Sequence, residues 1–333
     1  MLKLIPSARF AVGVHIGVGI FRVAVTNLYA EMVSNKISSF DLNTPAEGVL
    51  ADIATQIDEG INECRIVRDL VIGVGIGASG LVNYKEGINV LAPRLGWHNV
   101  SIRQKLESAL DLPVCVDNNV RTMALGEAFF GAGRGIDVLA FVYGRIGVGA
   151  GFVVNGHLFH GSDAGAGEVG HTIIIPQGGE RCSCGNEGCL ETLLSEPKLI
   201  KLAEQHAIEN PKGLLAQYLA SNRNGKTIER IFAAARDGDQ KTSQMLEERA
   251  RYLGIALANL VNVLNPELII LGGMFAQGQD LFIPKAEATM RETAFAGLGK
   301  KVKVLPTSFG WRAGVIGASS LALTTFFFQN PEG

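Results

Sequence analysis

Apolar and polar positions change period several times along the chain. Arg9–Thr26 reads RFAVGVHIGVGIFRVAVT, two Val-rich apolar runs separated by glycines at Gly17 and Gly19, and predicts an opening β-hairpin. Thr44–Cys64 then places Val49, Ile53, Ile57 and Ile61 on one face after a Thr44–Pro45 start signal, which predicts a helix. Leu70–Gly77 is a buried strand ending in glycines, Ser101–Leu110 an amphipathic helix, and Pro113–Asp117 a strand. A second cycle follows: strand Val138–Tyr143, loop Gly144–Gly151, strand Phe152–Asn155. The chain thus repeats its opening device, as expected of a two-lobed α/β protein with a ligand in the cleft. Ser195–Gly238 is helical and polar by turns, and Lys241–Leu264 is a long amphipathic helix. Leu268–Leu271 is a buried strand closed by Gly272–Gly273, Val302–Leu305 a last short strand, and Gly314–Phe328 a small-residue helix suited to close packing. No linker-like stretch divides the lobes.

Composition narrows the class. With 333 residues and 47% hydrophobic side chains, the chain is long enough for two buried cores. Its 41 glycines against 11 prolines suit a glycine-looped α/β protein better than a helical bundle. A formal net charge of −2 provides no bulk attraction to nucleic acid or to an anionic membrane, and points to a small-molecule ligand. No apolar run approaches a membrane span: Val138–Val154 is broken by Arg145 and glycines, and Ala313–Phe328 by Ser319, Ser320, Thr324 and Thr325. Met1–Phe10 lacks the features of a secretory signal, so the expected compartment is the cytoplasm, where cysteines are reduced thiols or metal ligands.

Cys64 and Cys115 stand alone in apolar surroundings and read as inert thiols. Cys182, Cys184 and Cys189 cluster, and with His171 they offer one imidazole and three thiolates, a complete tetrahedral shell for structural Zn2+ with no position left for water. Gly178, Gly179, Gly185 and Gly188 let a short loop fold back so that the ligands converge. The C-x-C-x4-C spacing differs from the usual C-x2-C finger. Three chance thiols beside a surface histidine are the bland alternative, and the density of ligands outweighs it.

The segment Gly167–Glu191, GEVGHTIIIPQGGERCSCGNEGCLE, resembles the signature of the ROK family, which groups bacterial sugar kinases with sugar-responsive transcriptional repressors. The resemblance extends in family order through the Gly13–Gly19 turn, Ala92–Trp97 (APRLGW), Val116–Glu127 (VDNNVRTMALGE), Gly147–Gly161 (GVGAGFVVNGHLFHG) and Asn265–Gly273 (NPELIILGG). It implies a two-lobed actin-like ATPase or sugar-kinase fold with ribonuclease H-like halves and a zinc loop, assembled as a homodimer or a dimer of dimers. The smaller lobe is expected over 1–118, joined by a C-terminal helix 312–330. The larger lobe, 119–311, is expected to hold the zinc loop 171–189 and the dimerisation helices.

The resemblance also implies a monosaccharide or amino-sugar ligand held by Asn118, Asn119, Glu168, His171 and Glu191, with Ser79 and Gly80 on the opposite wall. A zinc-held His171 would have its tautomer set by the metal, so the zinc orients a sugar contact. Taken alone, Glu168 and Glu191 read equally as solvated carboxylates or partners of the zinc ligands. Arg94 stands where family kinases more often have a sugar-touching asparagine; it either binds an anionic sugar bidentately or points to solvent.

Phosphoryl transfer needs a base, a phosphate cradle and an anchored Mg2+. The family's catalytic base is the Asp of an N-D-A-N run, and Asn119 stands there. The first phosphate loop of family kinases, D-I-G-G-T, is replaced by His15-Ile16-Gly17-Val18-Gly19, and the threonine of the second, G-T-G-x-G, by Ile146 before Gly147 and Gly149. The nucleotide positions His15, Gly17, Gly19, Gly147, Gly149, Gly272 and Gly273 are therefore expected to be degenerate. Asp117 is a candidate displaced base, although a two-residue shift along a strand moves a carboxyl by roughly 7 Å. His15 is expected to be a turn histidine with a neutral structural role. The resemblance implies the effector-binding region of a sugar-sensing transcriptional regulator, a pseudokinase. The competing reading is an ATP- and Mg2+-dependent sugar kinase of glucokinase or N-acetylhexosamine kinase type. Leu2–Val14 resembles the lead-in that follows a winged helix-turn-helix in such regulators, and DNA contact would need a helix-turn-helix that this chain does not contain.

Overall fold

The computed structural model describes residues 4–221 and 225–328. The first stretch of chain forms β1 (Phe10–Gly17), β2 (Ile20–Asn27), β3 (Met32–Ser39), α1 (Ala46–Glu63), β4 (Val71–Ala78), β5 (Leu81–Asn83), β6 (Ile88–Ala92), β7 (Trp97–Ser101), α2 (Ile102–Leu110), β8 (Val114–Asn118) and α3 (Asn119–Phe130). Then come β9 (Val138–Gly144), β10 (Val148–Val154), β11 (His157–Leu158), α4 (Leu190–Leu194), α5 (Glu196–Glu209), α6 (Leu214–Ala220), α7 (Thr227–Arg236) and α8 (Gln240–Leu264). The last elements are β12 (Leu268–Gly273), α9 (Met274–Gln277), α10 (Gln279–Thr293), β13 (Lys303–Pro306) and α11 (Ala313–Leu323).

One compact unit comprises 1–137, 151–167 and 311–333. Its main sheet has the order β3-β2-β1-β4-β8, with the β1–β2 hairpin antiparallel and β4 and β8 added in parallel. Alternation along β1 sends Val12, Val14 and Ile16 into the core shared with Val49, Ile53, Ile57 and Ile61 of α1. The opposite positions, Gly13 and His15, face α11. A Cβ on Gly13 would stand 2.3 Å from the Val315 carbonyl, and one on Gly75 of β4 1.9 Å from that of Ala318. The glycines therefore let the small-residue helix lie directly on the strands, the close packing its composition predicts. Gly126 of α3 meets Gly317 of α11 in the same manner: a Cβ on Gly126 would stand 3.0 Å from the Gly317 Cα. This contact keeps α3 within the first unit, so the unit extends past the boundary expected at 118. α11 ends at Leu323 and continues as one π turn, Thr324–Phe328. Residues 329–330 of the expected terminal helix, and residues 1–3 of the expected lead-in, lie outside the described residues.

A small antiparallel sheet, β5-β6-β7, is not visible in the hydrophobic pattern. The APRLGW stretch is the link between β6 and β7, a 3-10 turn over Pro93–Leu95 closed by Gly96 at φ 67°.

The second unit comprises 138–150 and 168–310. Here β9, β12 and β13 are parallel, with Ile270 opposite both Phe141 and Leu305. The strand β10 begins at Val148, earlier than the expected Phe152, because the Arg145 amide donates to the Gly147 carbonyl at 2.9 Å and closes the loop tightly. The end of β10 pairs with β11. Helices α8 and α10 approach closely at Gly254, where a Cβ would stand 2.6 Å from the Ala286 carbonyl. Among the described residues, no helix is long and apolar enough to cross a membrane.

Candidate functional site

His171 ends a 3-10 turn, Val169–His171, and the three cysteines follow on a loop pinned by isolated bridges between Ile173 and Cys189 and between Arg181 and Glu187. The Cys182 amide donates to the Asn186 carbonyl at 2.7 Å, and Gly188, at φ 69°, passes so near Ile175 that a Cβ would stand 1.8 Å from its carbonyl oxygen. Buried Leu190, Leu193 and Leu194 of α4 anchor the exit of the loop. The ligand atoms of His171, Cys182, Cys184 and Cys189 all lie within 4.8 Å of one another. Cys184 Sγ and Cys189 Sγ are 3.7 Å apart, and Cys182 Sγ is 3.6 Å from His171 Nδ1. A tetrahedral zinc with metal–sulfur bonds of about 2.3 Å separates its sulfurs by about 3.8 Å, so the donor set fits the ion. In the metal-free chain the Asn186 amide holds the Cys184 thiol down at about 7, and burial pushes that of Cys189 up to about 12.

In the second unit Glu191 Oε2 accepts from the Val148 amide at 3.1 Å, beside Gly147, where a Cβ would stand 2.6 Å from that oxygen. Glu168 is exposed, and its carbonyl receives the His171 amide at 3.0 Å. Gly272 and Gly273 permit close packing on β9: a Cβ on Gly272 would stand 2.6 Å from the Phe141 ring, and one on Gly273 2.1 Å from the Gly144 carbonyl.

The first unit holds a network that sequence reasoning missed. Asp117 and Arg121, 1% and 2% exposed, pair at 2.7 Å between Oδ1 and Nε. The other carboxylate oxygen of Asp117 lies 2.6 Å from His160 Nε2, and the Asn118 amide also donates to Oδ1, at 2.6 Å. The His160 ring stacks on Tyr84 with centroids 3.7 Å apart. Arg121 at four residues from Asp117 was a local signal; His160, on a distant loop, left none. Asn118 caps α3, its Oδ1 accepting from the Val120 and Arg121 amides, and its Nδ2 donates one hydrogen bond to the Gly80 carbonyl at 2.9 Å. Asn89 donates likewise to the Ser79 carbonyl, so the Ser79–Gly80 corner is held from two sides. Arg94 is exposed on its 3-10 turn.

Residues 11–325 match the model of the ROK family. The chain belongs to the ROK family. It is 32% identical over 95% of its length to a glucokinase of Halalkalibacterium halodurans, covering 95% of that protein. It is 30% identical over 97% of its length to the xylose repressor of Caldicellulosiruptor bescii, covering 80% of that chain. A solved ROK family transcriptional regulator, a homologue of the E. coli MLC protein, superposes with a TM-score of 0.85 at 29% identity, over 96% of this chain and 79% of the other. Both branches of the ROK family, kinases and regulators, are thus represented among its relatives.

The structure places the residues that the sequence singled out for phosphotransfer as follows. Asn119 is the buried first residue of α3, and its carbonyl accepts from Thr122 Oγ1 at 2.8 Å. His15 is not in a turn: it lies within β1, 3% exposed, with its ring against Gly314. The turn itself is Val18–Gly19, with Gly19 at φ 68°. Asp117, the candidate displaced base, has both carboxylate oxygens committed to Arg121, the Asn118 amide and His160.

Proposed function

We propose that this chain is the sugar-binding effector region of a ROK transcriptional regulator, and that it binds its sugar without phosphorylating it. The observation that carries this reading is the amide of Asn119 at the start of α3, where the family's kinases have their carboxylate base. An amide has no basic lone pair at neutral pH and cannot take a hydroxyl proton. The imidazole of His15 at the first phosphate loop and Ile146 at the second support the same conclusion.

In this reading the polar groups offered to sugar hydroxyls are those of Ser79, Gly80, Arg94, Asn118, Asn119, Glu168, His171 and Glu191. Asn118 shapes its neighbours by capping α3 and holding the Gly80 carbonyl. Zinc, held by His171, Cys182, Cys184 and Cys189, would supply no Lewis-acid chemistry from a closed shell; it would fix the loop and the His171 ring. Sugar binding then shifts the population of a conformation that a linked DNA-binding segment reads, in a cytoplasmic homodimer. Relatives named for xylose repression and for glucokinase activity make a monosaccharide the natural ligand class.

The competing reading, an ATP-dependent sugar kinase, draws on the glucokinase relative. Thermal stabilisation over a panel of monosaccharides and amino sugars, run beside a coupled ADP-release assay, separates the two. Stabilisation without turnover is expected, and sugar-dependent ADP release would overturn the proposal.

A further inference from the structure

We infer that Arg121 is a positioning residue: it sets the conformation of the loop 160–167 and, through that loop, the strength of sugar binding. The inference deepens the sugar-binding reading and rests on it for its second half.

One buried guanidinium gathers three stretches of the first unit. Nε pairs with Asp117 Oδ1 at the end of β8, Nη1 donates to the Ala164 carbonyl at 2.7 Å and more weakly to that of Ala166 at 3.5 Å, and Nη2 reaches the Val82 carbonyl of β5 at 3.4 Å. The other oxygen of Asp117 holds His160, where the loop begins. Asp117 and Arg121 together therefore fasten the loop at its start and at its middle. The His160 ring is in turn fixed by stacking on Tyr84, whose carbonyl accepts from Arg103 Nη2 at 2.9 Å.

The loop needs such fastening. Gly161, Ala164 and Gly167 all have positive φ, at 70°, 57° and 102°. For Ala164, which has a Cβ and is 7% exposed, this is a rarely adopted conformation that persists where the surroundings over-determine it. The donor fixing it is Arg121 Nη1, on the carbonyl of Ala164 itself. The loop runs directly into Glu168 and the turn that ends at His171. At its other end the same ion pair lies next to Asn118 and Asn119. Only the fork of an arginine spans this arrangement; a lysine ammonium keeps the charge beside Asp117 but lacks the second and third donors in fixed geometry.

The test combines hydrogen exchange of residues 161–167 with sugar affinity, in Arg121→Lys, Arg121→Gln and His160→Gln, with zinc content and unfolding midpoint recorded for each. In folded Arg121→Lys and Arg121→Gln, exchange in 161–167 is expected to quicken at least about tenfold and sugar affinity to fall about tenfold, with zinc retained. His160→Gln removes the ring stacked on Tyr84 and replaces its rigid nitrogen beside Asp117 with a flexible amide, at a partly exposed position where the variant folds, and is expected to move both readouts in the same direction by less. Unchanged exchange in any folded Arg121 variant overturns the inference, as does a loosened loop with undiminished sugar affinity. Should Arg121 variants not fold, His160→Gln decides by the same two readouts. If the natural protein binds no sugar, the sugar-sensing proposal fails, while exchange still shows whether Arg121 sets the loop.

Discussion

Gly314 lies directly against the imidazole of His15: a Cβ at position 314 would stand 2.6 Å from His15 Cγ and 2.7 Å from Nδ1. The first turn of α11 thus leaves room for the ring. Both neighbours of the contact are backbone-fixed, β1 on one side and α11 on the other, so neither can withdraw cheaply.

Gly314→Ala should therefore destabilise the protein by about 1–3 kcal/mol, the usual cost of adding volume to a packed core. His15→Ala removes the obstructing ring. The double variant should be less destabilised than the sum of the two singles, because the new methyl fills space the ring vacated. Denaturant unfolding of the four proteins measures this; strict additivity would show that the two residues do not press on one another.

The zinc loop makes a prediction about protons. In the metal-free chain the Cys189 thiol titrates at about 12 because it is buried, and that of Cys184 at about 7 because the Asn186 amide stabilises its thiolate. At neutral pH Cys189 carries a proton that zinc must displace, so metal uptake should release protons and affinity should fall as pH falls. The purified protein should hold one equivalent of zinc, lose it to a strong chelator with a drop in unfolding midpoint, and regain both on adding zinc. Cys189→Ser should copy the chelated state. A protein with no bound zinc and no response to chelator would remove the metal from the account.

What could be read from the chain and what could not follows from the range of the interactions. The β1–β2 hairpin, α1, α8 and the zinc ligands were legible because their signals are local: a period, a start signal, ligands on one short loop. The strand β3 carries MVSNKISS, half-buried at alternate positions with few apolar residues, and its pattern is too weak to predict it. The sheet β5-β6-β7 was hidden by strands of three to five residues. His15 was misplaced in a turn because Gly17 and Gly19 dominated its surroundings, whereas its register opposite Arg22 and Gly77 makes it a strand residue. Asp117, Arg121 and His160 become a unit only after the chain has folded.

Asp239 caps α8 and tethers α6 with one carboxylate. Its Oδ1 accepts from the Thr242 amide at 3.0 Å and hydroxyl at 2.9 Å, and its Oδ2 accepts from the Leu215 amide at 3.1 Å. Burial pulls its pKa upward, but these donors outweigh burial and hold it below the ordinary 3.8. A carboxyl depressed on folding adds stability that is present above its unfolded pKa and lost as pH falls through the folded one. Asp239→Ala should cost about 1–2 kcal/mol near neutral pH, the range of a lost helix cap. The gap from the natural protein should close under strongly acidic conditions. Unfolding curves at neutral and acidic pH check both statements, and a gap that widens on acidification would refute the assignment.

Asn119→Asp tests the proposed lack of phosphoryl transfer. The new carboxylate would lie in the first turn of α3, where the helix dipole favours a negative charge, so the variant should fold and ionise. On the proposed reading it would supply the missing base while leaving His15 and Ile146 in place. Base and phosphate cradle act together in phosphoryl transfer, so restoring one without the other should yield no measurable turnover. The expected result is sugar-dependent thermal stabilisation within about tenfold of the natural affinity, and ADP release at background. Turnover by Asn119→Asp alone would mean that the glycine loops still cradle phosphate and that only the base was missing. Turnover by the natural sequence would mean that proton removal does not depend on position 119, and would return the protein to the kinases.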